Sequence, residues 1–162
     1  VTQAAIFRHF PTKADLWSAV GEAVADRLTS VWQRAIEGHT DPTDRIRALI
    51  ATQLQQIEAT PALPAILHSR ELNVDNATLR ERFRGVLQQY QGLLVADLEG
   101  MAANGTLMKT VQPPDAAVLL TSLVQGIAIR WSLGSRRFAI VPEGMRLLDV
   151  QLALFAGKEN SG

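Results

Sequence analysis

The sequence predicts an all-α protein, and three observations carry that reading. Its long apolar patterns repeat at the helical period, and none alternates at the period of two expected of a half-buried strand. Residues that start and stop helices separate those patterns. The composition, 47% hydrophobic against 20% charged, belongs to a chain that folds around a core rather than to a disordered one. At 162 residues it suits a single domain or a domain with a small appendage.

The elements follow in order. A short helix opens after Thr2, a plausible N-cap, with Gln3, Ala4 and Ala5 in its first turn and Ile6 and Phe10 packing inward. The first long helix is announced by Pro11-Thr12-Lys13-Ala14-Asp15, where Thr12 and Asp15 have capping-box spacing. Its apolar stripe runs Leu16, Val20, Val24, Leu28, Val31 and Ala35, widened by Trp17, Trp32 and Ile36, and Gly38 stops it. Asp41-Pro42 starts the next helix, which buries Ile46, Leu49, Ile50, Leu54 and Ile57 and ends before Pro61. Pro64 opens a short helix over residues 65–72. A long helix follows from about Asn76, with Leu79, Phe83, Val86, Tyr90, Leu94, Leu98 and Met101 on one side, and Asn104-Gly105 ends it.

The last two helices, residues 114–133 and 142–156, are apolar nearly all the way round. A helix of that kind must be covered on both sides. The reading is a homodimer through these two helices, with Val118, Leu119, Leu123, Ile127, Leu148, Leu152 and Phe155 at the interface. The alternative is that both helices lie deep in a monomeric core.

Composition also excludes. The chain has no cysteine, so disulfides, thiolate zinc sites and cysteine nucleophiles are ruled out, and a reducing, cytoplasmic setting fits. No apolar run is expected to reach the roughly 20 residues of a transmembrane helix, and no membrane role is expected. The start has no signal-peptide pattern. It also lacks an initiator methionine and begins in mid-element, so upstream residues are expected. The balance of 16 basic against 16 acidic residues therefore does not argue against a polyanionic partner.

The segment Val1-Thr2-Gln3-Ala4-Ala5-Ile6-Phe7-Arg8-His9-Phe10-Pro11-Thr12-Lys13-Ala14-Asp15-Leu16 resembles the end of a TetR-family helix-turn-helix. Phe7, His9, Phe10, Pro11, Lys13 and Leu16 match the spacing of a recognition helix, an aromatic-x-His-Phe stretch, a small turn and a lysine opening the next helix. Two departures stand out. Phe7 replaces the usual tyrosine and its phosphate-seeking hydroxyl, and the earlier part of the motif is absent. The rest of the chain matches the family in architecture only.

The resemblance implies that residues 1–12 close a DNA-binding domain and residues 13–160 form an effector-binding and dimerisation domain. Gln3 can pair bidentately with adenine, and Ala4 and Ala5 admit close approach to thymine methyl groups. Thr2, Phe7, Arg8, His9 and Lys13 complete the DNA-facing set, with the basic groups spaced to reach phosphates. It also implies a pocket among the middle helices. Candidate liners are His68, Glu71, Tyr90 and Trp131, with Arg70 nearby, although each has an ordinary reading as surface charge or core.

His68-x-x-Glu71 puts two potential metal ligands on one helical face, but no second such pair accompanies it, so no metal is expected. No phosphate loop, nucleophile elbow or catalytic triad is present, and neither an enzyme nor a cofactor is expected. The function the sequence points to is a ligand-responsive transcriptional regulator, a repressor released from operator DNA by an apolar or amphipathic small molecule. The alternative is a helical small-molecule-binding or protein-interaction module without DNA binding.

Overall fold

The computed structural model describes residues 3–67, 69–70, 74 and 76–157; Thr2, His68 and Glu71 lie outside the described residues, as do the side chains of Gln3, Ala4 and Phe7. Among the described residues the chain forms seven helices and no strand: α1 Gln3–His9, α2 Lys13–Ile36, α3 Pro42–Ala59, α4 Leu63–Leu67, α5 Ala77–Ala103, α6 Pro113–Leu133 and α7 Ile140–Ala156.

The starts and stops follow the local chemistry. Thr12 and Asp15 form a reciprocal box at the head of α2: the Asp15 amide donates to Thr12 Oγ1 at 3.1 Å, and the Thr12 amide donates to Asp15 Oδ2 at 3.1 Å. Asp41 Oδ1 accepts from the amides of Thr43 and Asp44 at 2.9 and 3.1 Å, with Pro42 in the first turn of α3. Asn76 caps α5 by accepting from the Leu79 amide at 3.0 Å. Gly38 and Gly157, just beyond α2 and α7, adopt positive φ values of 81° and 66° that other residues resist.

Two helices start earlier than the sequence indicates. α4 begins at Leu63 and α7 at Ile140, each taking its proline into the first turn, where the missing N–H has no intrahelical partner to lose. A third difference concerns α6. It is 21 residues long and, by length and composition, apolar enough to cross a membrane, which the sequence reading did not anticipate. Ala116, Ala117, Leu120, Val124, Ile127, Ala128 and Trp131 form its buried face. Val118, Leu119, Ile129 and Leu133 on its other side are exposed.

α3 is the central strut and packs against α2, α5, α6 and α7. Its stripe of Ile46, Leu49, Ile50, Leu54 and Ile57 is buried as expected. α2 lies along α5, and their closest approach is at Gly21. A Cβ there would stand 2.3 Å from Leu79 Cδ1, so a larger residue would separate the helices. Asn76 adds polar ties from its amide nitrogen to the Ala14 carbonyl at 3.2 Å and Ser18 Oγ at 3.0 Å. Arg82 continues the seam with ion pairs to Glu22 and Asp26. The helix that follows α1 is thereby fixed along the body.

Candidate ligand cavity and apolar interface

Between α3, α4, α5 and α6 lies a small inner chamber of 50 Å³, bounded by Gln53, Ile57, Pro64, Leu67, Leu87, Tyr90, Thr121, Val124, Gln125 and Ala128. Pro64, Gln125 and Ala128 also border an outer cleft of 510 Å³ between α4 and the second half of α6, completed by Pro61, Ala65, Ile129, Ser132 and Leu133. The shared walls make the two spaces neighbours. None of these lining residues is charged.

Tyr90 stands at the inner end. It is 6% exposed, and its buried hydroxyl has no hydrogen-bond partner among the described residues. Burial pushes its ionisation above the usual phenol range, so it is a neutral group at physiological pH. Its ring meets Trp32 of α2 at a centroid distance of 4.7 Å and a tilt of 40°. Trp32 Nε1 in turn donates to Gln53 Oε1 at 2.9 Å. Gln53 was not expected at a site, yet it falls on the buried stripe of α3 beside Leu49, Ile50 and Ile57. A polar residue in that register was the readable signal.

The other expected pocket residues are placed differently. Trp131 is buried, but it serves the turn after α6: its Nε1 donates to the Phe138 carbonyl at 3.1 Å, and the Arg136 guanidinium covers its ring at 5.4 Å. That turn contains Ser135 and Arg136 in left-handed conformation. Arg70 is exposed. A second, shallow groove of 790 Å³ runs along the outer side of α5, between Phe83, Leu87 and Val95 and the charged Arg80, Arg84 and Glu99.

At the N-terminal end, Arg8, His9 and Lys13 are exposed, while Ala5, Ile6 and Phe10 are half-buried. The Phe10 amide donates to the Ile6 carbonyl at 2.9 Å and closes α1 before the turn into α2. The basic groups expected to meet phosphates thus face solvent.

The outward side of α6 and α7 carries exposed Val118, Leu119, Ile129 and Leu133 with Val150 and Leu154. Val118 and Leu119 agree in orientation with the expected interface, and Leu123 is half-buried. Ile127, Leu148, Leu152 and Phe155 are corrected: they are at most 7% exposed and belong to the subunit's own core. The cause is helical phase, because those four fall on the side facing α3 and α5. Ile129 and Leu133 on α6 and Val150 and Leu154 on α7 occupy the outward phase instead, and continuing the α6 wheel from Val118 and Leu119 would have found the first two. Gly126 lies on the same face with no side-chain or foreign atom within 4 Å of where its Cβ would be.

Residues 42–152, from the start of α3 into α7, match the sequence model described as the C-terminal domain of a BetI-type transcriptional repressor. That is well over half of the chain. The chain belongs to the TetR family, BetI type. Among curated proteins it resembles the nucleoid occlusion factor SlmA of Vibrio vulnificus, with 30% identity over 91 residues covering 56% of this chain and 46% of that protein. The Vibrio cholerae SlmA is 31% identical over the same span and coverage. The chain thus spans about half the length of the curated relatives it matches.

Solved structures of the same TetR-like fold include the fatty acid degradation regulator FadR of Bacillus halodurans (TM-score 0.75, 18% identity, 94% of this chain and 78% of that one). PfmR of Thermus thermophilus, a TetR-family transcriptional regulator, gives 0.77 at 16% identity over 94% and 81%. FadR of Bacillus subtilis, solved in complex with stearoyl-CoA, gives 0.74 at 13% identity over 99% and 83%. In this TetR-family chain α3 to α7 are therefore the body. The join of α1 to α2 stands where the sequence pattern Phe7-x-His9-Phe10-Pro11 placed the end of a helix-turn-helix.

Proposed function

We propose that the chain is part of a ligand-responsive, DNA-binding transcriptional regulator of the repressor type, acting in the cytoplasm as a homodimer. The observation that carries this reading is the match of residues 42–152 to the C-terminal domain of a BetI-type repressor. Residues 1–12 close its DNA-binding part and residues 13–160 form its sensing and dimerising part. Thr2, Gln3, Ala4, Ala5, Phe7, Arg8, His9 and Lys13 face the operator. Val118, Leu119, Val150 and Leu154 on the exposed apolar side of α6 and α7 pair with a second copy, and an apolar or amphipathic effector enters the cleft between α4 and α6, which Ile129 and Leu133 line. Trp131 supports the turn beside that cleft, and His68 and Glu71 are further candidate ligand contacts.

The coupling follows the helices. A ligand at Tyr90 and Gln53 abuts Trp32 of α2, and α2 carries α1. Such a ligand weakens operator binding only by favouring the conformation with the lower DNA affinity, since equal affinity for both would shift nothing. The test uses the complete gene product on operator and scrambled DNA at several salt concentrations. Gln3→Ala is expected to relax preference at one base position per half-site. Lys13→Ala is expected to weaken binding to every sequence and to flatten the salt dependence by about one unit. If neither substitution changes affinity, α1 is not the reading helix, and the chain is a helical binding module without a DNA role.

A further inference from the structure

The outer cleft and inner chamber differ in a way that defines a ligand. The chamber, at 50 Å³, holds only a small head group, whereas the cleft, at 510 Å³, holds an organic body of moderate size. The cleft walls are predominantly proline, alanine, isoleucine and leucine. At the inner end Tyr90 is 6% exposed, and its buried hydroxyl donates to no acceptor among the described residues. A buried donor without an acceptor is uncommon, because its desolvation is uncompensated. An incoming acceptor removes that penalty.

Charge decides the rest. Among the described residues no lysine, arginine or histidine lines either space, so a carboxylate or phosphate head would meet no counter-charge from them. We propose that the inner chamber takes the neutral, hydrogen-bond-accepting head of an organic effector, a carbonyl or ether oxygen held by the Tyr90 hydroxyl, with its apolar tail along the α4–α6 cleft. This inference rests on the effector-site reading above and narrows it to uncharged molecules. The charged groove outside α5, where Arg80 and Arg84 stand, borders the chamber through Leu67 and Leu87, and its charged residues are not among the described lining of the chamber. Trp32, stacked on the Tyr90 ring, reports occupation of the chamber.

The probes are methyl ketones from hexanone to tetradecanone and the fatty acids of matching length, titrated calorimetrically into the wild-type protein and Tyr90→Phe near neutral pH. The ketones are expected to bind, the matched carboxylates to bind at least about a hundredfold more weakly, and Tyr90→Phe to lose about tenfold in ketone affinity. Tyr90→Phe keeps the ring and removes an unsatisfied hydroxyl, so its unliganded melting temperature should not fall. In a Trp17→Phe/Trp131→Phe variant the remaining fluorescence is that of Trp32, and ketone binding should change it.

Carboxylates binding as well as ketones, or full ketone affinity in Tyr90→Phe, would overturn the neutral-head assignment. The effector site itself would survive either result if the bound probe raises the wild-type melting temperature. Failure of both series to bind or to stabilise would overturn the effector site together with this assignment.

Discussion

Arg45 Nε and Asp97 Oδ1 meet at 2.7 Å between α3 and α5, while Arg45 Nη1 reaches the carbonyls of Ile36 and His39 at 3.3 and 3.4 Å. One guanidinium thus joins α3, α5 and the C-terminal end of α2. The Asp97 side chain is 8% exposed, and its second oxygen has no partner, so the aspartate depends on this arginine. The join fixes the far end of the helix whose near end carries α1.

Arg45→Met is expected to cost about 3 kcal/mol, because it leaves a buried carboxylate unpaired. The double variant Arg45→Met/Asp97→Leu should recover most of that loss, since it removes both charges together. Urea denaturation of the two variants provides the comparison. Equal stability of single and double variants would mean that the aspartate is solvated without its partner.

Two helical glycines should respond in opposite directions. A Cβ on Gly144 would lie 2.4 Å from Leu54 Cδ1, and Leu54 is wholly buried, so Gly144→Ala must displace a packed side chain. Overpacking of this kind costs about 1–3 kcal/mol and outweighs a gain of about 1 kcal/mol in helix propensity. Gly126 has open space around it, and Gly126→Ala should gain up to about 1 kcal/mol in the isolated subunit. Thermal melts at concentrations low enough to give monomer separate the two effects.

The apolar side of α6 and α7 gives a prediction that distinguishes interface from core. Leu119→Lys or Leu154→Lys places charge on a face that is exposed in the single subunit, so the subunit should fold while the dimer dissociates. Leu148→Lys buries an unpaired ammonium at a fully enclosed position and should unfold the protein, at a cost of several kcal/mol. Light scattering with circular dichroism reads both outcomes. A wild-type monomer at micromolar concentration would remove this face as an interface.

The helices were legible because their signals are local. Thr12 with Asp15, Asp41 with Pro42, and the stripe from Ile46 to Ile57 each act within a few residues of their own position. The phase of α6 and α7 was less legible: both are apolar on several sides, and hydrophobicity alone could not assign Leu148 to the core and Leu154 to the surface. Tyr90 was visible as an amphipathic residue on a buried stripe, but its orphaned hydroxyl was not. That property depends on the absence of an acceptor among side chains from α3, α4 and α6, which lie far apart in sequence. The hydrogen bond of Trp131 was hidden for the same reason, since the Phe138 carbonyl becomes available only once the turn after α6 is formed.

The last prediction concerns Tyr90 at high pH. It is the single tyrosine in the chain, so the phenolate absorption band reports it without interference from another tyrosine. Burial raises its ionisation in the folded state above the unfolded value of about 10. Between those two values the folded protein retains a proton that the unfolded chain has lost. Stability is therefore complete below pH of about 10 and falls as pH rises beyond it, by about 1.4 kcal/mol per pH unit from this one group. Phenolate absorption should stay absent past pH 10 and then appear together with the loss of helical circular dichroism. Tyr90→Phe should remove that portion of the alkaline slope, while the lysines continue to titrate in both proteins. A phenol that ionises at its ordinary pH in a fully helical protein would show that water reaches the chamber, and with it that the Tyr90 hydroxyl already has an acceptor.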